Sequence, residues 1–346
     1  MKRVGLTYGF IGLGLLLFIA ALLVAACGEG AQNPGAKPRV NLGYFPNVTH
    51  AQAMIGVNRG DFAKAFEGIA EFKPMTFNAG PSVIEAMFGG QLDISYIGPS
   101  PTLNGFVKSK GKEVRVIAGA VDNGIMIVGS KKRGITTLAQ LKGARIATPQ
   151  LANTQDISAR HYVISELKST LKDAGGETEI IPIANPDIEI LFEKDQLDAA
   201  WIPEPWASRM IDKGLVVKIA AENELWESGY FTLTNVIVRA EFLEKHPDLV
   251  KKFLEVHVAL TRELEADRQS LAPVLNDQME VLTKKRLPDA VLKSSLDNVE
   301  FRVEPDLASF EKFYAWGRDL GFLPAGEIDL KALVRPELLN EVLGKK

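Results

Sequence analysis

An internal repeat constrains this chain more than any other feature. The first copy contains Ile84-Glu85, Phe88, Gln91-Leu92-Asp93 and Tyr96-Ile97-Gly98-Pro99-Ser100-Pro101, and the second contains Ile188-Glu189, Phe192, Gln196-Leu197-Asp198 and Trp201-Ile202-Pro203-Glu204-Pro205-Trp206. In both copies an amphipathic helix leads through Gln-Leu-Asp into a short apolar strand, which ends at prolines before another helix. Chance similarity of two ordinary α/β units is the alternative, but three matched blocks in one order favour duplication. The repeat therefore predicts an α/β protein with two similar halves.

The repeat also predicts where a ligand binds. Each copy places the carboxyl end of a strand against the start of a helix. In open α/β sheets this edge binds ligands, because unpaired N–H groups and the positive ends of helix dipoles converge there. Two such edges, one from each half, predict a cleft between two lobes.

The amino terminus has the composition of an export signal. Lys2 and Arg3 precede an apolar run from Phe10 to Ala26, which is short for a membrane span of about 20 residues. Residues 1–26 are therefore predicted to be a lipoprotein signal peptide.

Val24-Ala25-Ala26-Cys27 is typical of a bacterial lipobox, in which Cys27 is lipidated and becomes the mature amino terminus. A signal peptide cleaved elsewhere and a retained anchor are the alternatives. Cys27 is the only cysteine, so no internal disulfide can form. Residues 27–38 are predicted to be a flexible tether, which places the protein in the cell envelope, in the periplasm or on the outer face of the cell membrane.

The charge balance excludes one class of partner. The whole chain has a formal net charge of −3, and removal of residues 1–26 would take away Lys2 and Arg3 and no acidic residue, which leaves −5. An acidic protein of this kind is not expected to bind nucleic acid. A hydrophobic content of 46% is sufficient for the cores of two domains.

Breaks in the strand pattern predict the lobe boundaries. A β-rich run from Val114 is interrupted at Asp122-Asn123-Gly124, and a return crossing is expected within 220–231. The first lobe is predicted to comprise 39–121 and 231–346, and the second lobe 122–230. The mostly helical chain beyond Glu241 is expected to cover the first lobe. Two lobes joined by two crossing segments can close like a hinge.

The sequence offers little for catalysis. It contains no Gly-x-Ser-x-Gly elbow, no phosphate-binding loop and no His-Glu-x-x-His motif, and its four histidines lack metal-ligand spacing. No catalytic residue, metal site or cofactor is therefore predicted. His161, His246 and His257 are expected to be structural, whereas His50 follows a strand end and either donates to an anion or caps its helix.

Polar residues cluster at the predicted strand-to-helix turns. Each has an ordinary role as a helix cap, worth about 1 kcal/mol. Ser82 and Glu85 are predicted to form a capping box, and the helix that begins near Thr154 is expected to reach Leu171. Together, however, helix starts from both lobes predict a site for a small anion that uses no lysine or arginine. The candidates are Asn47, Thr49, His50, Asn78, Ser82, Ser100, Thr102, Asn153, Thr154 and Gln155.

Three aromatic residues and one carboxylate complete the predicted site. Tyr96, Trp201 and Trp206 are expected to wall the cleft and hold an apolar or cationic part of the ligand, with a place in the core as the alternative. Glu204, between two prolines, either faces the cleft or binds the backbone at the hinge.

These residues resemble the extracytoplasmic solute-binding proteins of bacterial ABC importers, in the aliphatic sulfonate, nitrate, bicarbonate and taurine group. The motifs that carry the resemblance are Gly43-Tyr44-Phe45-Pro46-Asn47-Val48-Thr49-His50-Ala51-Gln52, Phe77-Asn78-Ala79-Gly80-Pro81-Ser82, Tyr96-Ile97-Gly98-Pro99-Ser100-Pro101, Ala147-Thr148-Pro149-Gln150-Leu151-Ala152-Asn153-Thr154-Gln155-Asp156 and Trp201-Ile202-Pro203-Glu204-Pro205-Trp206. They add Gly80 to the candidate ligand residues.

The resemblance implies a two-lobed periplasmic-binding-protein fold with two crossing segments, in which each lobe is an α/β sandwich. It implies a monomer that delivers a small anion to a membrane permease driven by a separate ATPase, with an aliphatic sulfonate as the first expectation. Nitrate, bicarbonate, taurine and a thiamine-precursor pyrimidine are the alternatives. The fold also resembles pyrimidine synthases of thiamine biosynthesis, but these enzymes are intracellular and use a cysteine-rich motif and iron. The signal peptide and the lack of cysteine after Cys27 argue against that enzyme.

Overall fold

Eleven strands form two mixed sheets in the part of the chain described by the structure, a computed structural model that covers residues 37–324 and 328–345. The predicted signal peptide, Cys27 and nearly all of the predicted tether lie outside these residues. In chain order the strands are β1 (Arg39–Tyr44), β2 (Glu71–Thr76), β3 (Ile94–Ile97), β4 (Val114–Asn123), β5 (Ile125–Ser130), β6 (Arg145–Thr148), β7 (Glu179–Pro182), β8 (Ala199–Pro203), β9 (Val216–Ala221), β10 (Thr232–Arg239) and β11 (Val299–Phe301).

Helices follow most strands. In the described residues the α-helices are Ala51–Arg59, Asp61–Ala65, Gly80–Phe88, Pro99–Lys108, Thr154–Ser165, Asn185–Glu193, Trp206–Asp212, Ala240–Lys245, Pro247–Asp267, Ala272–Thr283, Asp289–Asp297, Leu307–Asp319 and Glu337–Leu343. None of the described helices is long and apolar enough to cross a membrane.

The first sheet has the strand order β11-β4-β10-β3-β1-β2, and the second has the order β7-β6-β8-β5-β9. In the first sheet β1 pairs in parallel with β2 and β3, while β10 is antiparallel to β3 and β4. In the second sheet β6 pairs in parallel with β7 and β8, while β5 is antiparallel to β8 and β9. The chain thus passes between the sheets at Gly124 and again between β9 and β10.

The predicted repeat is confirmed as two αβα units. The first unit is the Gly80–Phe88 helix, β3 and the Pro99–Lys108 helix, and the second is the Asn185–Glu193 helix, β8 and the Trp206–Asp212 helix. Every residue of β3 and of β8 is buried. Both strands lie inside their sheets, and helices cover both faces of each sheet. Neither strand therefore has a face toward water.

The aspartate of each Gln-Leu-Asp block has the same role. Asp93 accepts a hydrogen bond from the backbone N–H of Asn41 at 3.0 Å, and Asp198 accepts one from the backbone N–H of Arg145 at 2.8 Å. Asn41 and Arg145 lie in β1 and β6, the neighbouring parallel strand in each sheet. The two halves therefore share a hydrogen-bonding detail as well as a strand order, which supports duplication.

Two predicted helix bounds were wrong. Ser82 and Glu85 were predicted to form a capping box, but the helix starts at Gly80 after Ala79, with a proline in its first turn and no side-chain cap. The helix that starts at Thr154 was expected to reach Leu171. It ends at Ser165, because Lys168 has a φ of 49°, in the left-handed region that an α-helix cannot continue through.

The carboxyl-terminal helices contact elements of both sheets. Leu307–Asp319 packs against the Pro99–Lys108 helix and the Thr154–Ser165 helix, and Asp289–Asp297 packs against the Trp206–Asp212 helix. The expectation that these helices cover the first lobe is therefore incomplete, since two of them also bridge to the second sheet.

Candidate functional site

A small cavity lies where the carboxyl ends of the parallel strands of both sheets meet. Its volume is about 40 Å³, and the residues that line it are Phe45, Asn47, Thr49, His50, Asn78, Ala79, Gly80, Gly98, Pro101, Pro149, Asn153, Thr154, Gln155, Asn185, Pro203, Leu233 and Thr234. Most of these residues follow β1, β2 and β3 in the first sheet and β6 and β7 in the second, whereas Pro203 ends β8, and Leu233 and Thr234 lie in β10. We call this space the cleft cavity.

The first sheet contributes a neutral histidine. His50 is buried, and its Nδ1 accepts a hydrogen bond from the backbone N–H of Phe45 at 3.4 Å. The ring proton is therefore on Nε2, which leaves Nε2–H as the donor. Burial lowers the pKa of His50 to about 3, so the ring is uncharged at neutral pH. His50 can donate to an anion without placing a positive charge in the cavity.

The second sheet contributes the start of the Thr154–Ser165 helix. Asn153 caps this helix by accepting from the backbone N–H of Asp156 at 2.8 Å. The Asp156 carboxylate is buried, accepts from the hydroxyl of Thr148 at 2.9 Å and pairs with Arg160 at 3.0 Å. The backbone N–H groups of Thr154 and Gln155 lie in the first turn, where a helix provides no acceptor. The loop is thus held rigidly while these two donors remain available to a ligand.

Thr154 provides the most direct indication of a ligand. Its Oγ1 is buried and has no hydrogen-bond partner among the described residues. It packs directly against Gly98 of the first sheet, since a Cβ on Gly98 would be only 2.3 Å from this oxygen. Buried hydroxyl groups are normally hydrogen-bonded, so an unpartnered one in a cavity is a candidate ligand contact.

The cleft cavity carries no formal charge. Its lining contains no lysine, arginine, aspartate or glutamate, and His50 is neutral. Four helices of nine or more residues, Gly80–Phe88, Pro99–Lys108, Thr154–Ser165 and Asn185–Glu193, have their amino-terminal ends at this cavity. Such an arrangement favours a negative group through helix dipoles and neutral donors. Among the described residues, no group of three His, Cys, Asp or Glu could hold a metal ion.

Eight of the predicted ligand residues line this cavity: Asn47, Thr49, His50, Asn78, Gly80, Asn153, Thr154 and Gln155. Ser82, Ser100 and Thr102 do not. Ser100 has a buried Oγ without a partner, and its helix begins Pro99-Ser100-Pro101, so the two prolines have no N–H to offer a ligand. The Thr102 hydroxyl donates to the carbonyl of Gly98 at 2.8 Å.

Two predicted aromatic walls lie elsewhere. The Tyr96 hydroxyl is hydrogen-bonded to Nδ1 of the buried His257 at 2.8 Å, and Trp201 donates from Nε1 to Glu222 at 2.5 Å. Both aromatic residues are inside strands, where side chains point to the faces of a sheet. Neither residue lines the cleft cavity, so the structure places both in the core, which was the alternative to their prediction as cleft residues.

Glu204 is also outside the cleft cavity. It is fully buried and accepts hydrogen bonds from the backbone and hydroxyl of Ser208, from Ser295 at 3.2 Å and from Nδ2 of Asn298 at 2.7 Å. Burial raises the pKa of this carboxyl, and these donors oppose the rise. Glu204 therefore joins the end of β8 to the Asp289–Asp297 helix and Asn298. Of its two predicted roles, this is closer to a contact at the hinge than to a place facing the cleft.

Trp206 forms a contact between the two sheets without lining the cavity. Its Nε1 donates to Oδ1 of Asn47 at 2.9 Å, and its ring packs in the core of the second sheet. Trp206 thus holds a cavity residue in place.

Asn185 is a cavity residue that was not predicted from the sequence. It begins the second repeat helix after β7, and its Oδ1 is buried without a partner among the described residues. The same rule that selected Asn78 and Thr154, a polar residue at a strand-to-helix turn, would have selected it.

Comparisons with known proteins agree with this geometry. The sequence profile of the NMT1-like family matches residues 33–275. The chain is 28% identical over 251 residues to the putative aliphatic sulfonates-binding protein of Bacillus subtilis (strain 168), covering 70% of this chain and 71% of that protein. It is 29% identical over 180 residues to the taurine-binding periplasmic protein of Escherichia coli (strain K12), covering 51% of this chain. That alignment spans only about half, 52%, of the E. coli protein.

A solved structure shows the same fold. The alkanesulfonate-binding protein SsuA from Xanthomonas axonopodis pv. citri, bound to MOPS, superposes with a TM-score of 0.69 at 19% identity, covering 87% of this chain and all of that one. The predicted two-lobed periplasmic-binding-protein-like α/β fold is thereby confirmed.

Proposed function

Because this chain belongs to the NMT1-like family, we propose that it is the solute-binding protein of an ABC importer. In this proposal it captures a small oxyanion in the cleft cavity and delivers it to a membrane permease that is driven by a separate ATPase. The first candidate ligand is an aliphatic sulfonate. The names of the two relatives, a taurine-binding and a putative aliphatic sulfonates-binding protein, support this choice.

The observation that carries the proposal is the uncharged cleft cavity built from both sheets. Thr154 and Gln155 come from the second sheet, while His50 and Gly80 come from the first. A ligand that contacts both sets stabilises the closed arrangement of the lobes only, because separation removes half of its donors. A permease could then distinguish the ligand-bound protein by its closed arrangement of the lobes.

The size of the cleft cavity bears on the ligand. A cavity of about 40 Å³ has roughly three times the space that one ordered water requires. This volume suits the headgroup of an oxyanion with a short substituent. Nitrate and bicarbonate, which have no alkyl chain, are for that reason the second candidates, ahead of a thiamine-precursor pyrimidine.

We also propose a location and an anchor. Lipidation of Cys27, after removal of residues 1–26, would hold the protein at the extracytoplasmic side of a membrane, and residues 27–38 would give it reach. The sequence pattern around Cys27 and the periplasmic relative support this. The proposed lobes, 39–121 with 231–346 and 122–230, would move as two bodies of one monomer without catalysing a reaction.

A thermal-shift screen tests the ligand class. The mature protein is unfolded by heat with methanesulfonate, ethanesulfonate, taurine, nitrate or bicarbonate. Methanesulfonamide, a neutral analogue, serves as the control. A true ligand at a hundredfold excess over its dissociation constant stabilises the folded form by about 2.7 kcal/mol. The melting temperature is expected to rise with at least one oxyanion and to stay unchanged with the sulfonamide.

A matched pair of variants locates the binding. Thr154→Val removes the unpartnered hydroxyl of the cleft cavity at nearly constant volume, and Thr170→Val makes the same change at an exposed position. The first should weaken binding about tenfold, and the second should not change it. If no oxyanion shifts the transition, or if both variants bind as the wild type does, the proposal is wrong.

A further inference from the structure

A second, larger cavity lies away from the cleft cavity. Its volume is about 500 Å³, and it lies between the Thr154–Ser165 helix, the segment 222–227 and the Leu307–Asp319 helix. None of its lining residues lines the cleft cavity. Its size is in the range of about 300–1,000 Å³ that is typical of small-molecule sites.

Aromatic rings form much of its wall. Trp226 and Trp316 meet edge to face with centroids 5.0 Å apart, and His161 stacks on Trp316 at 4.4 Å. Tyr162 and Trp201 lie 5.6 Å apart and line the same space. The faces of such rings are electron-rich and attract cations.

The cavity also has an excess of negative charge. Glu222 is buried and accepts hydrogen bonds from Ser158 at 2.6 Å, from Trp201 at 2.5 Å and from Trp226 at 3.4 Å. All three donors are neutral, and no salt bridge to Glu222 occurs among the described residues. Glu166 and Glu227 add two further carboxylates, against one ammonium group, that of Lys312.

The ammonium group of Lys312 already contacts two of these rings. Its ammonium nitrogen is 4.7 Å from the centre of the Trp226 ring and 5.8 Å from that of Trp316. Burial raises the pKa of Glu222 to about 7, so this carboxyl is partly protonated at neutral pH, and a cation bound beside it would favour the ionised form. The single positive charge of Lys312 thus balances only part of the negative charge that the three carboxyl groups can carry. The cavity also has room for a further group.

We propose that this second cavity binds a small organic cation of the alkylammonium class, with Trp226 and Trp316 against its apolar surface and Glu222 as its counter-charge. A compact metal ion is a poorer match, because among the described residues no group of three His, Cys, Asp or Glu side chains is placed to hold one. The proposal goes beyond anion capture in the cleft cavity and does not depend on it.

Choline and its neutral isostere 3,3-dimethylbutan-1-ol are the probes. Both are titrated into the mature protein by calorimetry and by tryptophan fluorescence. Choline should bind and change the fluorescence, and the alcohol should bind about tenfold more weakly. Equal binding of the two compounds, or no binding of choline at millimolar concentration, overturns the proposal.

Two variants with matched controls test the residues. Lys312→Met removes the competing ammonium group and should tighten choline binding about fivefold, whereas Lys331→Met removes an exposed positive charge elsewhere and should have no effect. Trp316→Leu should weaken binding about tenfold, and Trp316→Phe should retain most of it. Melting curves of each variant show whether it is folded.

Weaker or unchanged binding by Lys312→Met overturns the assignment of the cavity to a cation, even if Trp316→Leu does not fold. Thr154→Val should leave choline binding unchanged. That comparison separates a failure of this proposal from a failure of the proposed anion site.

Discussion

Replacement of Gly98 by alanine should disfavour closure of the cleft cavity. Gly98 has a φ of −75° and a ψ of 161°, an extended conformation that alanine adopts without strain. The added Cβ, however, would lie 2.3 Å from Oγ1 of Thr154, and 3.4 Å from the carbonyl oxygen of Leu233. Only the first distance is too short. The clash therefore involves a side chain of the other sheet, and it should disappear when the lobes separate.

The magnitude follows from the cost of overpacking. An extra methyl group in a well-packed site costs about 1–3 kcal/mol, and here the whole cost falls on the closed form. Ligand binding should weaken by about five- to 150-fold, since each 1.4 kcal/mol corresponds to about a factor of ten in affinity. The melting temperature without ligand should stay close to that of the wild type, because the open form avoids the contact.

A double-mutant cycle measures this contact by calorimetry, with the oxyanion found in the screen. In a Thr154→Ala background the offending oxygen is absent, and the Thr154 Cβ would be 3.4 Å from the new methyl group, an ordinary contact. The Gly98→Ala penalty should then nearly vanish, although Thr154→Ala alone weakens binding by removing a hydroxyl donor. If Gly98→Ala binds as tightly as the wild type, or costs the same in both backgrounds, closure does not bring these two residues together.

Three further predictions concern stability and anchoring. Glu204→Ala should lower the free energy of unfolding by about 3 kcal/mol, because it leaves the buried backbone N–H of Ser208 and the side-chain amide of Asn298 without an acceptor; urea denaturation against Glu204→Gln, which should cost less, measures this. Burial lowers the pKa of His50 from 6.5 to about 3, so the folded form resists protonation and stability should fall as the pH drops below 6.5. Between neutral pH and about pH 5, the free energy of unfolding of the wild type should fall by about 2 kcal/mol more than that of His50→Gln. An equal fall in the two proteins, measured by urea denaturation at both pH values, would contradict this. Cys27→Ala should release the protein from the detergent phase in a partitioning assay, and unchanged partitioning would show that Cys27 is not the anchor.

The order of helices and strands could be predicted because it depends on local sequence. The Gln-Leu-Asp blocks and the prolines after β3 and β8 specify where each strand begins and ends. Polar residues in the turns that connect a parallel strand to the next helix, such as Asn47, Asn78 and Thr154, could be assigned to the cleft cavity for the same reason. The position at a strand end is not sufficient by itself, since Glu204 directly follows β8 and lies outside the cavity.

Tyr96 and Trp201 lie outside the cleft cavity for the same physical reason. Tyr96 and Trp201 are inside fully buried strands, whose side chains contact helices on the sheet faces rather than the strand ends. An aromatic residue near a cleft motif therefore says little about the cleft unless it follows the strand. Glu204 is different, because its partners Ser295 and Asn298 lie about a hundred positions further along the chain and no local pattern identifies them.

The neutral lining of the cleft cavity matters for release as much as for capture. A lysine or arginine about 4 Å from a bound anion would contribute about 4 kcal/mol in a partly screened site, and that attraction would persist on one lobe after opening. Helix amino termini contribute only about 0.3–1 kcal/mol each. Two of the four helix starts belong to the first sheet and two to the second. Separation of the lobes therefore removes about half of the attraction between the helix amino termini and the anion. A permease that opens the protein would therefore weaken the site without having to displace a charged side chain.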